Sequence, residues 1–329
     1  MNDPDIRKKL INSGIRECFI SILERNNLLS IQQLFSYPAT TLSISYCIPM
    51  PIIKEILKIV SSLIIPPVNP IKNTECITLF NDAILDKSLS FPNNGIIEIC
   101  GLAGSGKSNM TFHIAVQMYF SNPNRKVVYI NTEGPFPNER LRKIASYNHT
   151  QEEVDEFMAY FQIIKAEYVN ELCEIINTTI PAIFVEAKDS PPSLVIIDSI
   201  AALFRLEFSQ AQIKQRTQLL FDISTTLKWI STAYNALIIT TNQATANMNP
   251  FTSFVQDWVP SLGLSWSYCI NTRLVLTKTS MKREISLKRD NGSYETYTAT
   301  LRTIRVELSP RSQDVLTNFY ISETGIHGL

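Results

Sequence analysis

Apolar positions recur at helical spacing through residues 1–63: Ile15, Phe19, Ile22 and Leu23 form one stripe, and Ile52, Ile53, Ile56, Leu57 and Val60 another. Pro49 and Pro51 open the second stripe, where proline suits a first helical turn. The pattern predicts a small helical domain over 1–63. The run IIPPVNPIKN cannot continue a helix, so 64–76 reads as a proline-rich linker. From about Thr74 the pattern changes. Continuous apolar runs, GIIEIC, KVVYIN, YFQIIK, SLVIID and ALIITT, alternate with helical stretches. Such runs suit strands covered on both faces, and their alternation with helices predicts an α/β domain with a mostly parallel sheet over 77–329. Between SLVIID and ALIITT, Leu219, Leu220, Ile223, Leu227 and Ile230 mark a long helix. The last segments, NTRLVLTK, REISLKR, TIRVELS and NFYISE, alternate like antiparallel strands.

Composition changes this picture little. At 329 residues and 45% hydrophobic content the chain can bury a large core. A formal net charge of zero gives no global argument for or against nucleic acid, so only local clusters can speak. The six cysteines are scattered without a C-x-x-C pair, which favours buried thiols over a disulfide or zinc framework. MNDPDIRKKL is charged and polar, unlike a secretory signal, and the apolar runs are too short to span a bilayer. A soluble protein without membrane contact is expected.

The chemistry begins at GLAGSGKS. Gly101, Gly106, Lys107 and Ser108 satisfy G-x-x-x-x-G-K-[ST], between a predicted strand and a predicted helix. The glycines let backbone N–H groups of Gly101, Leu102, Ala103, Gly104, Ser105 and Gly106 wrap phosphate, and the helix N-terminus adds positive potential. Lys107 can reach the outer phosphates, and the Ser108 hydroxyl can ligate Mg²⁺. Asp198, at the end of LVIID, is a second candidate magnesium group. Glu133 follows KVVYIN, and is aimed at the γ-phosphate if that strand lies beside the P-loop strand. Gln243 follows ALIITT as a candidate phosphate sensor. Strand-end polar groups of a parallel sheet share one edge, where such sheets bind ligands. Each alone reads equally as a surface polar group.

GLAGSGKS, VVYINTEGPFPNERL, LVIIDSIAALFRLEF, LIITTNQ and GLSWSYCINTRLVL, in that order, resemble the RecA-type recombinases, and more closely the eukaryotic recombinase paralogues that mediate homologous recombination. The Trp after GLS, and an apparent insertion around KREISLKRDNGSYETYTAT, are most similar to the fungal mediator of the Rad-fifty-seven type and its animal counterpart. The resemblance implies a RecA-like P-loop ATPase core behind a small helical domain. It implies ATP and Mg²⁺ as cofactors, Glu133 as hydrolytic carboxylate, Lys107 and Gln243 as its catalytic companions, and Arg140 packed on the adenine. DNA-facing loops would run from Phe204 to about Ile213 and from Ala244 to about Leu264. Arg205, Phe204, Phe251 and Phe254 are then the candidate DNA contacts, with Trp258 beside them.

Departures from the family pattern bear on output. PPVNPIKNTEC carries no Phe-x-x-Ala polymerisation segment, the turn SYCIPMPI replaces a glycine hairpin, the first loop lacks the family's Gly-Arg pair, and SLSFPNNG stands for its Gly-Gly. The resemblance implies a nuclear DNA-repair protein, a weak DNA-dependent ATPase that pairs with another paralogue. It would help the strand-exchange recombinase on single-stranded DNA. A self-polymerising recombinase and a non-hydrolysing ATP-bound interaction module stay open. The basic residues Arg273, Lys278, Lys282, Arg283, Lys288, Arg289, Arg302 and Arg305 read either as a phosphate-tracking patch or as a solvated hairpin.

Overall fold

The computed structural model describes residues 4–30, 33–34, 37, 39–64, 76–89, 91–187, 190–246, 258–288, 294–310 and 315–329. The chain divides into two compact units, Met1–Lys72 and Asn73–Leu329. The expected linker lies outside the described residues apart from its two ends.

In the first unit the described helices are α1 (Pro4–Asn12), α2 (Glu17–Arg25), α3 (Ala39–Ser45) and α4 (Met50–Ile64). Ile20, Leu23, Ile53, Ile56 and Val60 are fully buried together, with Phe19, Ile22, Ile52 and Leu57 at the rim of that core. The helical stripes in the sequence therefore mark the packed faces. The turn from α3 to α4 places Cys47 at φ 51°, a conformation glycine would adopt more easily.

The second unit begins with β1 (Cys76–Ile77), α5 (Ala83–Ser88) and β2 (Phe91–Pro92). Then come β3 (Gly95–Gly101), α6 (Lys107–Ser121), β4 (Val127–Asn131), α7 (Asn138–Ala145), α8 (Gln151–Tyr160) and β5 (Phe161–Lys165). A helical stretch, α9 (Val169–Glu174) and α10 (Ile180–Glu186), leads to β6 (Leu194–Asp198), α11 (Ile200–Glu207), α12 (Ile213–Tyr234) and β7 (Leu237–Ala246). The chain closes with β8 (Trp258–Pro260), α13 (Gly263–Ser267), β9 (Thr272–Lys288), β10 (Tyr294–Leu308), β11 (Leu316–Ser322) and β12 (Gly325–Gly328).

The main sheet runs β12-β11-β10-β9-β3-β7-β6-β4-β5, with β8 paired to β7. From β9 to β5 neighbours are parallel, and from β9 to β12 antiparallel. Successive strand residues point to opposite faces. Ile97, Tyr129, Ile196 and Ile239 enter one core with α6, while Ile96, Val128, Val195 and Ile238 enter the other with Leu220, Ile223, Leu227 and Ile230 of α12. Burial on both faces is why these strands read as continuous apolar runs. The edge strand β5 departs from that rule: it is only half covered, with Ile163 exposed.

Three expectations need correction. NTRLVLTK and REISLK form one long strand, β9, whose first part pairs parallel to β3 before the whole pairs antiparallel to β10. KVVYIN (β4) does not lie beside the P-loop strand β3, because β7 and β6 intervene. Of the described thiols, Cys18 and Cys47 are exposed, although Cys100 and Cys269 are buried.

His113, on α6, shows how closely the C-terminal strands are built onto the core. It is buried, its Nε2–H donates to the Phe80 carbonyl (2.8 Å), and its Nδ1 accepts from Ile326 N–H (3.2 Å). A Cβ on Gly325, which has φ 123°, would stand 2.4 Å from that Nδ1, so only glycine fits there. Both bonds require the neutral imidazole, and burial holds the His113 pKa below its ordinary value against the pull of Phe80, Asp82 and Asp86. The unfolded chain takes up this proton near pH ~6.5, the folded chain only at lower pH. Stability from this group is therefore complete above the unfolded value and is lost as pH falls towards the folded one. Thermal melts between pH 7.5 and 5.5 should show a falling midpoint, with a shallower fall in His113→Gln.

Candidate nucleotide site

The P-loop leaves the end of β3 and turns into α6. A Cβ on Gly101 would meet the Leu276 carbonyl at 2.4 Å, and one on Gly106, at φ 108°, would meet Ile321 Cδ1 at 2.5 Å. Both glycines are therefore needed for the loop to lie this close to β9 and β11. Leu102, Ala103 and Gly104 are exposed along the loop, and Ser105 is buried with its hydroxyl unpartnered among the described residues. Lys107 Nζ donates to the carbonyls of Gly101 (3.0 Å) and Leu102 (3.1 Å), folding over the loop it serves. Burial lowers its pKa, while Asp198 and Glu133 act to raise it.

The other strand ends meet this loop by register. Gly101 pairs with Gln243 across β3 and β7, and Asn131 pairs with Asp198 across β4 and β6. A cavity of about 560 Å³ at this edge is lined by Lys107, Ser108, Glu133, Asp198, Gln243 and Arg205, among others. Its volume falls within the range of ligand pockets, roughly 300–1,000 Å³. Parallel strands end on one edge whatever their order, so Glu133 arrives although β4 is not beside β3.

Glu133 Oε1 accepts from Gln243 Nε2 (2.6 Å) and from Ser199 Oγ (2.8 Å). Ser199 also caps α11, accepting from Ala202 N–H. Gln243 Oε1 in turn accepts from Arg205 Nη1 (2.8 Å). The Gln243 carbonyl accepts from both N–H (2.9 Å) and Oγ–H (2.6 Å) of Ser261, next to the returning strand β8. One residue thus joins the carboxylate facing the cavity to the chain that returns from the second loop.

Asp198 is oriented by two hydroxyl donors, Tyr129 and Thr241. Burial and the adjacent Asp198 push the Tyr129 phenol well up, so it remains a neutral donor. Ser108 and Asp198 line the same cavity. A hydroxyl and a carboxylate, completed by phosphate and water oxygens, form a ligand set that suits Mg²⁺. Among the described residues no group of three or more His, Cys, Asp or Glu could hold a metal ion.

Each guanidinium nitrogen of Arg140 donates: Nε to Asn109 (2.7 Å), Nη2 to the Ser322 carbonyl (2.7 Å) and Nη1 to the Glu323 carbonyl (2.8 Å). It ties α6 to the β11–β12 turn and lines a second cavity of about 470 Å³. A guanidinium bonded in its plane keeps a flat face for stacking.

The DNA contacts fare differently. Phe204 is a correction: it sits on α11, fully buried in the core and stacked on Phe208, and presents no ring to a base. The apolar face of α11 claims it, so the first loop starts no earlier than Phe208. Arg205 is exposed on the same helix, but its guanidinium is turned to Gln243 in the P-loop cavity. Phe251 and Phe254 lie outside the described residues. The basic cluster also breaks up. Arg273 is buried against Glu98, and Arg302 lines the P-loop cavity. Of the rest, Lys278, Lys282 and Arg283 are exposed. Arg302 and Thr241 also reach this edge, and no local motif marks them, because they come from β10 and the middle of β7; Asn109 and Ser199 reach it as the residues next to Ser108 and Asp198.

A glycine-rich loop after β3, with a carboxylate and a glutamine from other strand ends on the same edge of a mostly parallel sheet, places the chain in the RecA-like α/β class. Residues 80–328 match the Rad51 family, and the chain belongs to it. It is 26% identical over 261 residues to a DNA repair protein XRCC3 homolog of Arabidopsis thaliana, covering 71% of this chain and 86% of that protein. It is 30% identical over 208 residues to a DNA repair protein RAD51 homolog 3 of Dictyostelium discoideum, covering 56% of this chain and 52% of that protein. A human meiotic recombination protein DMC1/LIM15 homolog is 29% identical over 241 residues, 70% of this chain and 63% of that protein.

Proposed function

We propose that this chain binds ATP with Mg²⁺ at the β3–α6 site. We propose further that it serves homologous recombination and DNA double-strand break repair in the nucleus. In this reading it pairs with another recombinase paralogue and promotes or stabilises filaments of the strand-exchange recombinase on single-stranded DNA. The observation that carries the nucleotide reading is the Glu133–Gln243 pair facing Lys107, Ser108 and Asp198 across one cavity. Membership of the Rad51 family supports the process.

Lys107 and the loop N–H groups hold the phosphates, with the N-terminus of α6 adding favourable potential. Bound Mg²⁺ would neutralise developing phosphate charge, with Ser108 and Asp198 as its protein ligands. Glu133 orients water for attack, and Gln243 and Ser199 fix where its carboxylate stands. The bond from Ser261 to Gln243 couples occupancy of the cavity to the second loop. Weak turnover fits a protein whose site governs a subunit contact.

Lys107→Ala should abolish ATP binding while the melting midpoint without nucleotide changes little, as read by equilibrium dialysis and thermal denaturation. The paralogue role is tested by purifying the chain with candidate paralogues. A stable heteromeric complex is expected. Long regular filaments from this chain alone, seen by electron microscopy with ATP and single-stranded DNA, would favour a self-polymerising recombinase instead.

A further inference from the structure

The Gln243 amide lies between two groups that cannot exchange roles. An ionised carboxylate only accepts hydrogen bonds, and Glu133 Oε1 accepts from Gln243 Nε2 (2.6 Å). A guanidinium only donates, and Arg205 Nη1 donates to Gln243 Oε1 (2.8 Å). A glutamine amide has nearly the same shape either way round, so its neighbours decide which end faces where. With Arg205 on the oxygen, the NH2 group must face Glu133. Arg205, Gln243 and Glu133 line the P-loop cavity together.

The element that carries Arg205 is itself held in place. Arg205 sits in the last turn of α11, where the helix end favours a cation. The same helix begins at Ser199, whose Oγ donates to Glu133 Oε1 (2.8 Å) and accepts from Ala202 N–H (3.1 Å). Six residues separate Ser199 from Arg205, about 9 Å along a helix. α11 therefore holds Glu133 from its start and Gln243 from near its end. Ile200, Ala201, Leu203 and Phe204 bury its inner face, and Glu207 Oε1 accepts from Val169 N–H (2.7 Å) at its far end. A helix packed in this way is a firm support for a site.

We propose that Arg205 is a positioning residue for the nucleotide reaction, and that it acts through Gln243. It fixes the polarity of the Gln243 amide. One N–H of the NH2 group then holds Glu133 for the attacking water, and the other meets the γ-phosphate. Without Arg205 the amide can turn its oxygen towards Glu133 and the phosphates, where oxygen repels oxygen. The inference rests on the nucleotide reading above.

The test uses the full chain, with ATP and ADP as separate binding probes and single-turnover release of labelled phosphate as the rate. Arg205→Ala should narrow the preference for ATP over ADP by about tenfold, the loss for one hydrogen bond to a charged group. Phosphate release should fall with it, while ADP binds as before. Arg205→Lys, which still donates to Oε1, should restore much of both. In a Gln243→Ala chain, Arg205→Ala should leave the remaining ATP preference unchanged, because a residue that acts through another has no effect once that other is gone. Weaker ADP binding in Arg205→Ala, or equal losses with and without Gln243, would make Arg205 a direct phosphate ligand or a structural group and overturn the proposal. An Arg205→Ala chain that keeps the parent's preference and release, and loses only binding to a single-stranded oligonucleotide, would overturn it too. ATP binding lost in Lys107→Ala, with Arg205→Ala silent, would leave the nucleotide site standing without this inference. An unaltered chain that binds neither nucleotide would overturn both.

Discussion

Glu133→Gln is expected to lower phosphate release by about 10²–10⁴-fold, the range for losing a positioned general base, while ATP still binds. The substitution keeps the shape of the side chain and an oxygen that can accept from Gln243 and Ser199, the two donors at Glu133 Oε1. It removes the charge and the basicity that the proposed mechanism uses to orient water. Single-turnover release of labelled phosphate measures the effect, and nucleotide binding measured in parallel separates it from Lys107→Ala. An unchanged release rate would remove Glu133 from the reaction. A repair defect in Lys107→Ala but not in Glu133→Gln would assign the biological output to ATP binding alone and favour the non-hydrolysing interaction module.

The second large effect is on stability. Glu98 is fully buried in β3, and Arg273 of β9 donates to it from Nε. Asn242 Nδ2 also donates to Glu98 (2.7 Å), and Arg273 reaches Ser267 Oγ (2.8 Å) and Glu307 (3.3 Å). Burial drives the Glu98 pKa upward, and Arg273 and Asn242 oppose that drive. Arg273→Met removes the compensating charge but leaves the carboxylate inside the sheet. Breaking a buried pair in this way costs about 3–5 kcal/mol. Denaturant unfolding should report that loss. In the variant Glu98 can stay buried only by holding a proton, so its folded pKa, which burial already holds above the unfolded one, rises further. Stability should then be greatest below the unfolded carboxyl pKa and fall as pH rises through the folded value. The double change Glu98→Gln with Arg273→Met should recover much of the loss. A single variant as stable as the parent would show that the pair carries no structural role.

These two predictions differ in how much of them could be read along the chain. GLAGSGKS is a local motif, and its chemistry follows from residues within one turn of each other. Glu133, Asp198 and Gln243 were legible because each ends a strongly apolar run, and parallel strands deliver their ends to a common edge. The Glu98–Arg273 pair was not legible. It joins residues 175 apart in sequence, and a glutamate inside GIIEIC reads only as an interruption.

The sequence by itself determined the helical first unit, the parallel core and the phosphate-binding loop, because hydrophobic period, glycine placement and strand-end polarity are local properties. Tertiary structure decided what those patterns could not contain. It placed β4 away from β3 and still brought Glu133 to Gln243. It buried Phe204, turned Arg205 to the P-loop cavity and divided a string of basic residues among a buried pair, a cavity wall and an exposed surface. It also set Arg302 of β10 beside the P-loop, across nearly 200 residues of chain. Such contacts depend on strand order, which leaves no periodic trace in the sequence.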